Sequence, residues 1–133
     1  MIVSELHREK HSREDGFLCE LISTKYKDSP FSCFHSYLVV IRPDKIRAMH
    51  YHKQKQEWLA LTSGEIKLVL ENINTKERSE IKMGIEEENY RLIYIPPFFA
   101  HAIKNIGDFD ASIVIFAEKS EKIEDTIEYR MEI

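Results

Sequence analysis

The 133-residue chain predicts an all-β fold, best satisfied by a closed antiparallel jelly-roll barrel. About nine short segments rich in aromatic and β-branched residues recur at regular spacing. Almost no stretch carries the 3.6-residue apolar period of a helix. A set of short strands with no covering helices hides its edges best by closing on itself, and closure leaves a mouth for a site. The length suits one domain with one core, spanning residues 1–133.

Phe17 to Ile22 and Phe31 to Ile41 read as the first strands, and Ile46 to His52 as the next. Glu57 to Thr62 runs into Ser63-Gly64, a turn signal. From Glu65 to Leu70, Ile66, Leu68 and Leu70 share one face, and Lys67 and Val69 take the other. Asn72 to Thr75 reads as a hairpin loop. Arg78 to Met83, Arg91 to Ile95, Ala100 to Ile103 and Ala111 to Ala117 continue the series. Glu118 to Asp125 suits a short helical turn or a loop. The last segment, Thr126 to Ile133, alternates as a strand that covers a sheet edge, either in its own subunit or in a partner.

The net charge of −4 comes with dispersed basic residues, which gives nucleic-acid binding no electrostatic footprint. No apolar run approaches the roughly 18 residues of a membrane helix, so no membrane partner is expected. Met1 to Arg8 lacks the apolar core of a signal peptide, and a cytoplasmic location is the expectation. Cys19 and Cys33 form no CxxC pair and read as free thiols packed as small hydrophobes.

The residues that carry chemistry are His50, His52, Glu57 and His101. Two imidazoles at i and i+2 share one face of a strand. A carboxylate five residues on returns from the next strand, and His101 arrives from far along the chain. Three neutral imidazoles and one carboxylate suit a divalent metal: zinc foremost, or iron, nickel or manganese. They also suit metal-free acid–base chemistry.

The spacing His-x-His-(x)4-Glu-(x)6-Gly fits His50, His52, Glu57 and Gly64, and Pro-(x)4-His-(x)3-Asn fits Pro96, His101 and Asn105. Together these resemble the two signature motifs of the cupin superfamily. Asp44, Tyr90 and Phe98 stand where the motifs carry glycines. The order of Glu14 to Leu21, Arg47 to His52 and Tyr94 to His101 is similar to the sugar-nucleotide cupins. These are the dTDP-4-dehydrorhamnose 3,5-epimerases, the dTDP-sugar 3,4-ketoisomerases and the C-terminal cupin domain of bifunctional capsular-polysaccharide reductases. Residues His50 to Gly64 look most like the last, which resembles a zinc-binding C3 epimerase.

The resemblance implies a homodimeric epimerase or ketoisomerase of a nucleotide-linked 4-keto-6-deoxysugar in polysaccharide precursor synthesis. His50 then matches both the epimerase base and the first ligand of metallocupins, two roles that compete for one lone pair. The family's tyrosine acid is missing from Ala111 to Phe116, and Trp58 replaces its enolate-stabilising lysine. Tyr94 and Tyr51 are the candidates for the acid, against a local role for each hydroxyl. Arg47 and Lys55 either grip a diphosphate or end a strand and a loop in solvent. Trp58 and Phe34 read as core. His7, His11, His35 and Glu86 to Glu88 read as surface or structural residues. The alternatives are a metal-dependent cupin oxygenase or isomerase of a small molecule, and a cupin that binds a sugar without turnover.

Overall fold

The computed structural model describes residues 3–23, 25–27, 35–120 and 123–133. The strands are β1 (Glu5–Arg8), β2 (His11–Arg13), β3 (Gly16–Leu18), β4 (His35–Ile41), β5 (Ile46–His52) and β6 (Glu57–Ser63). They continue as β7 (Glu65–Asn72), β8 (Arg78–Gly84), β9 (Tyr90–Ile95), β10 (Phe99–Asn105), β11 (Ala111–Ala117) and β12 (Thr126–Glu128). A 3-10 turn, Ile123–Asp125, precedes β12.

Two five-stranded antiparallel sheets face each other, ordered β1-β9-β6-β11-β4 and β12-β5-β10-β7-β8. β2 and β3 form a separate hairpin. This is the jelly roll that the regular strand spacing predicts. Leu59, Leu61, Ile93, Ile95, Ile113 and Ile115 of the first sheet meet Ile66, Leu68, Leu70 and Ile103 of the second in one buried core. The opposite face of the first sheet carries a second apolar layer, Trp58, Ala60, Tyr90 and Leu92, covered by Leu6, Cys19, Leu21 and Ile22. Strand parity therefore sorts the residues of β6: Glu57, Leu59 and Leu61 point into the barrel, and Trp58 and Ala60 point out of it. Trp58 is core, as expected.

The expected strand at Phe17 to Ile22 is only Gly16–Leu18, and β1 and β2 lie before it. Cys19 is half-buried, with burial raising its thiol against the opposing charges of Lys10 and Arg8. Cys33, Phe34 and the start of the expected Phe31 to Ile41 strand lie outside the described residues. The final strand is shorter than its alternation suggests and folds back on its own subunit: Thr126, Ile127 and Glu128 pair with His52, Tyr51 and His50. No helix among the described residues is long and apolar enough to cross a membrane.

Two of the replaced motif glycines keep the backbone that glycine would have taken. Asp44 and Phe98 sit at φ 62° and 65°. Gly64 keeps its glycine because the turn requires it: φ is 85°, and a Cβ would lie 2.9 Å from the Ala111 Cα. Gly64→Ala is expected to destabilise the protein by more than ~1 kcal/mol, read as a lower midpoint in urea at unchanged slope.

Candidate functional site

β5 and β10 are neighbours in the second sheet, and the register places His101 directly opposite His50. A bulge follows. Ala102 pairs with Ala48, so Met49 is the extra residue. Ala48 and Met49 both hold left-handed φ, 77° and 60°, which is strained backbone for residues with a Cβ. The bulge lets Arg47, Ala48 and His50 face one cavity, where strict alternation would separate Arg47 from Ala48.

The cavity, of about 110 Å³, opens beside the histidines. Tyr37, Arg47, His50, Glu57 and His101 line its polar side, and Ile113 and Ile115 its apolar side. A larger open groove of about 610 Å³ runs along the β2–β3 hairpin, but its His11, Arg13 and Asp15 are exposed side chains. The chemistry therefore points to the smaller cavity.

The rings of His50, His52 and His101 are 4.7–5.7 Å apart, centroid to centroid. Each offers a nitrogen within 4.8 Å of the others. Glu57, at the start of β6 on the facing sheet, brings its Oε1 to 3.3 Å from His52 Nε2 and 3.8 Å from His101 Nε2. Its Oε2 accepts the Tyr37 hydroxyl at 2.5 Å and lies 3.4 Å from Lys55 Nζ. Burial pushes the Glu57 carboxyl up. His52, His101, Lys55 and Tyr37 together more than offset this and hold it well below the ordinary range.

His101 Nδ1 lies 3.1 Å from the Phe99 carbonyl. A carbonyl only accepts, so Nδ1 carries the proton and Nε2 presents a lone pair towards Glu57. Burial lowers the His101 pKa, with Glu57 and the Phe99 carbonyl opposing. His52 Nε2 is buried without a hydrogen bond among the described residues. A buried, unsatisfied nitrogen beside a second lone pair and a carboxylate fits a divalent ion well.

Several expectations need correction. Tyr94 is not at this site. It lies on the outward face of β9, its hydroxyl donates to Gln56 Oε1 at 2.6 Å, and its ring packs on Trp58. Burial and the Glu118 carboxylate raise its pKa. Tyr51 also points away, towards Phe98 and Tyr129. Lys55 neither reaches a diphosphate nor ends in solvent. It is 2% exposed and turned to Glu57. Arg47 is exposed and lines the cavity. The residue missed is Tyr37, on the inward face of β4 with Val39 and Ile41. Its only signal in the sequence is that parity.

Glu57 has a folded-state pKa below its unfolded value of ~4.3. Its contribution is therefore present above that value and is lost as pH falls towards the folded one. In chelator-treated protein, Glu57→Gln is expected to cost ~3–5 kcal/mol at pH 7, because it strips a buried charge from its partners. The variant should also lose ~1–2 kcal/mol less than the parent between pH 5 and pH 3. Parallel stability–pH curves from urea unfolding would contradict this.

Among known proteins, the chain is 29% identical over 120 residues to the spore coat polysaccharide biosynthesis protein SpsL of Bacillus subtilis (strain 168), covering 84% of this chain and 75% of that one. Two solved structures share the architecture. The sugar 3,4-ketoisomerase QdtA of Thermoanaerobacterium thermosaccharolyticum, in complex with TDP, superimposes with a TM-score of 0.78 at 19% identity, over 94% of this chain and 86% of that one. The 3,5-epimerase RmlC of Legionella pneumophila Philadelphia 1, in complex with dTDP-4-keto-L-rhamnose, gives 0.79 at 18%, over 93% and 70%. At these identities the likeness is one of fold, the cupin jelly roll that both sequence motifs imply. The family model described as polysaccharide biosynthesis C-terminal domain matches residues 11–127, and the chain belongs to that family.

Proposed function

We propose that the protein is an isomerase of a nucleotide-linked 4-keto-6-deoxysugar, acting as a C3 epimerase or 3,4-ketoisomerase in polysaccharide precursor synthesis. The observation that carries this reading is the His50–His52–His101–Glu57 cluster, with His52, His101 and Glu57 buried, at a cavity also lined by Tyr37 and Arg47. The ketone at C4 acidifies the proton on C3. Removing that proton sends its electron pair to the ketone oxygen as an enolate. Returning a proton to the opposite face of C3 inverts that centre. Returning it to C4, with the 3-hydroxyl proton passed to the oxygen on C4, moves the ketone to C3.

A cavity of about 110 Å³ is too small for a whole sugar nucleotide. The diphosphate would lie outside, where Arg47 can hold it with two parallel hydrogen bonds. His50, His52 and His101 would hold a divalent ion, zinc foremost, with Glu57 beside them. Such an ion supplies Lewis-acid stabilisation of the enolate oxygen. A nitrogen of His50 spent on that ion cannot also act as the base. With the ion bound, the proton-carrying pair left on the cavity wall is Tyr37 and Glu57, already joined by a hydrogen bond. The carboxylate accepts the phenol's hydrogen bond and holds the hydroxyl in place, so Tyr37 is the acid that returns a proton to the sugar in the ion-bound enzyme. A homodimer belongs to the same proposal: Leu38 and Val40 are exposed on β4, the outer strand of its sheet, where a second copy would cover them.

Incubation with dTDP- and UDP-4-keto-6-deoxyhexoses in deuterated water should place deuterium at C3 or C4. No incorporation with any of them would sink the enzymatic reading. Tyr37→Phe is expected to lower kcat by ~10²–10⁴ with little change in KM, whereas Tyr94→Phe leaves both nearly unchanged. Elemental analysis should find about one divalent ion per chain and its loss in His101→Ala. Metal-free protein with full activity would leave His50 as the base.

A further inference from the structure

The far end of the chain reaches the site through two adjacent residues. Asp125 closes the single 3-10 turn before β12. Its carboxylate accepts three successive backbone amides of the β5–β6 turn: Oδ1 from Lys53 at 3.2 Å and Gln54 at 2.9 Å, and Oδ2 from Lys55 at 3.1 Å. The Asp125 carbonyl also accepts the Lys53 amide at 3.3 Å. That turn leads from His52 to Glu57, so its shape decides how Lys55 and Glu57 enter the barrel. The next residue, Thr126, pairs across the ladder with His52, and its Oγ1 lies 3.2 Å from His52 Nδ1.

We propose that Asp125 and Thr126 are positioning residues of the site, Asp125 shaping the turn that delivers Lys55 and Glu57, and Thr126 fixing the ring and tautomer of His52. This deepens the reading of the histidine cluster as the active centre and rests on it. A threonine hydroxyl both donates and accepts. When His52 Nε2 carries a proton towards Glu57, Nδ1 accepts from the hydroxyl. When Nε2 offers its lone pair to an ion, Nδ1 donates to the same oxygen. Threonine serves both states from one position, serine keeps that ability, and valine, of nearly the same shape, serves neither. A partner of this kind on the far nitrogen of a ligating imidazole sets ligand orientation and basicity.

The deciding experiment compares Thr126→Val, Thr126→Ser and Asp125→Asn in the full chain. Cobalt(II) titration by visible absorption is expected to show binding weakened ~10–100-fold in Thr126→Val and restored in Thr126→Ser. In turnover, Thr126→Val should lower kcat with KM nearly unchanged. In ion-free protein, the ring nitrogen resonances of His52 should report one tautomer in the parent and in Thr126→Ser, and a mixture in Thr126→Val. In Asp125→Asn the amides of Lys53 to Lys55 should exchange at least ~10-fold faster, with Leu68 and Ile103 still protected. A Thr126→Val protein with parental cobalt affinity and one His52 tautomer would overturn the role of Thr126. Unchanged exchange at Lys53 to Lys55 would overturn that of Asp125. A parent that binds no cobalt removes the ion reading alone, and the tautomer and exchange measurements then decide the positioning proposal by themselves.

Discussion

The structure turns on one buried carboxylate. Glu57 is 1% exposed, and taking an ion of that size out of water costs several kcal/mol unless charge and hydrogen bonds replace the lost hydration. That requirement explains features that look unrelated in the sequence. Lys55 turns inward, against the usual exposure of lysine, because Glu57 Oε2 needs a cation. Tyr37 gives up solvent to donate its hydroxyl to the same oxygen. His52 and His101 direct nitrogens at the other oxygen. The carboxylate draws the two sheets together at their chemistry, since Glu57 and Tyr37 come from one sheet and the histidines from the other.

A second constraint is the bulge in β5. Two consecutive left-handed residues other than glycine persist only where their surroundings over-determine them. The chain end supplies those surroundings. The Tyr129 amide donates to the Met49 carbonyl at 2.8 Å, and the Met131 amide reaches Met49 Sδ at 3.3 Å. The Tyr129 hydroxyl donates to Glu71, which ties the tail beyond β12 to β7, with β5 and β10 between them in the sheet. The strained strand that aims Arg47 and His50 is therefore braced along its outer edge. The segment that shapes the β5–β6 turn also holds the bulge.

The jelly roll and the histidine set were legible because both rest on period two. Regular strand spacing revealed the barrel, and His50 and His52 at i and i+2 had to share a face. Tyr37 was illegible because one hydroxyl on an outer strand carries no spacing signature, and only the partner across the barrel gives it a role. Lys55 was misjudged because a lysine in a polar loop is ordinarily solvated, and the charge that draws it inward lies two residues away in sequence but across a turn in space. Tyr94 alternates with Ile93 and Ile95, which the barrel core buries, so it lies on the opposite face, and the same alternation separates Trp58 from Glu57. The missing glycines at Asp44 and Phe98 did not remove the turns they mark, because the left-handed backbone persists there with other residues.

The arrangement of lone pairs decides how the site behaves. His101 commits its Nδ1 proton to the Phe99 carbonyl, and its Nε2 lone pair faces Glu57 Oε1. His52 Nε2 faces the same oxygen from 3.3 Å. Two imidazole nitrogens and a carboxylate oxygen thus converge where only acceptors would meet if both rings were neutral in the same tautomer. Such a point demands a positive centre. A proton on His52 Nε2 meets the demand, and a divalent ion shared with His50 meets it better, because all three acceptors then face it. The acid–base and metal readings of these residues are two answers to one electrostatic need. Exchanging one for the other releases a proton, and the Thr126 hydroxyl, able to donate or accept, follows the exchange without moving.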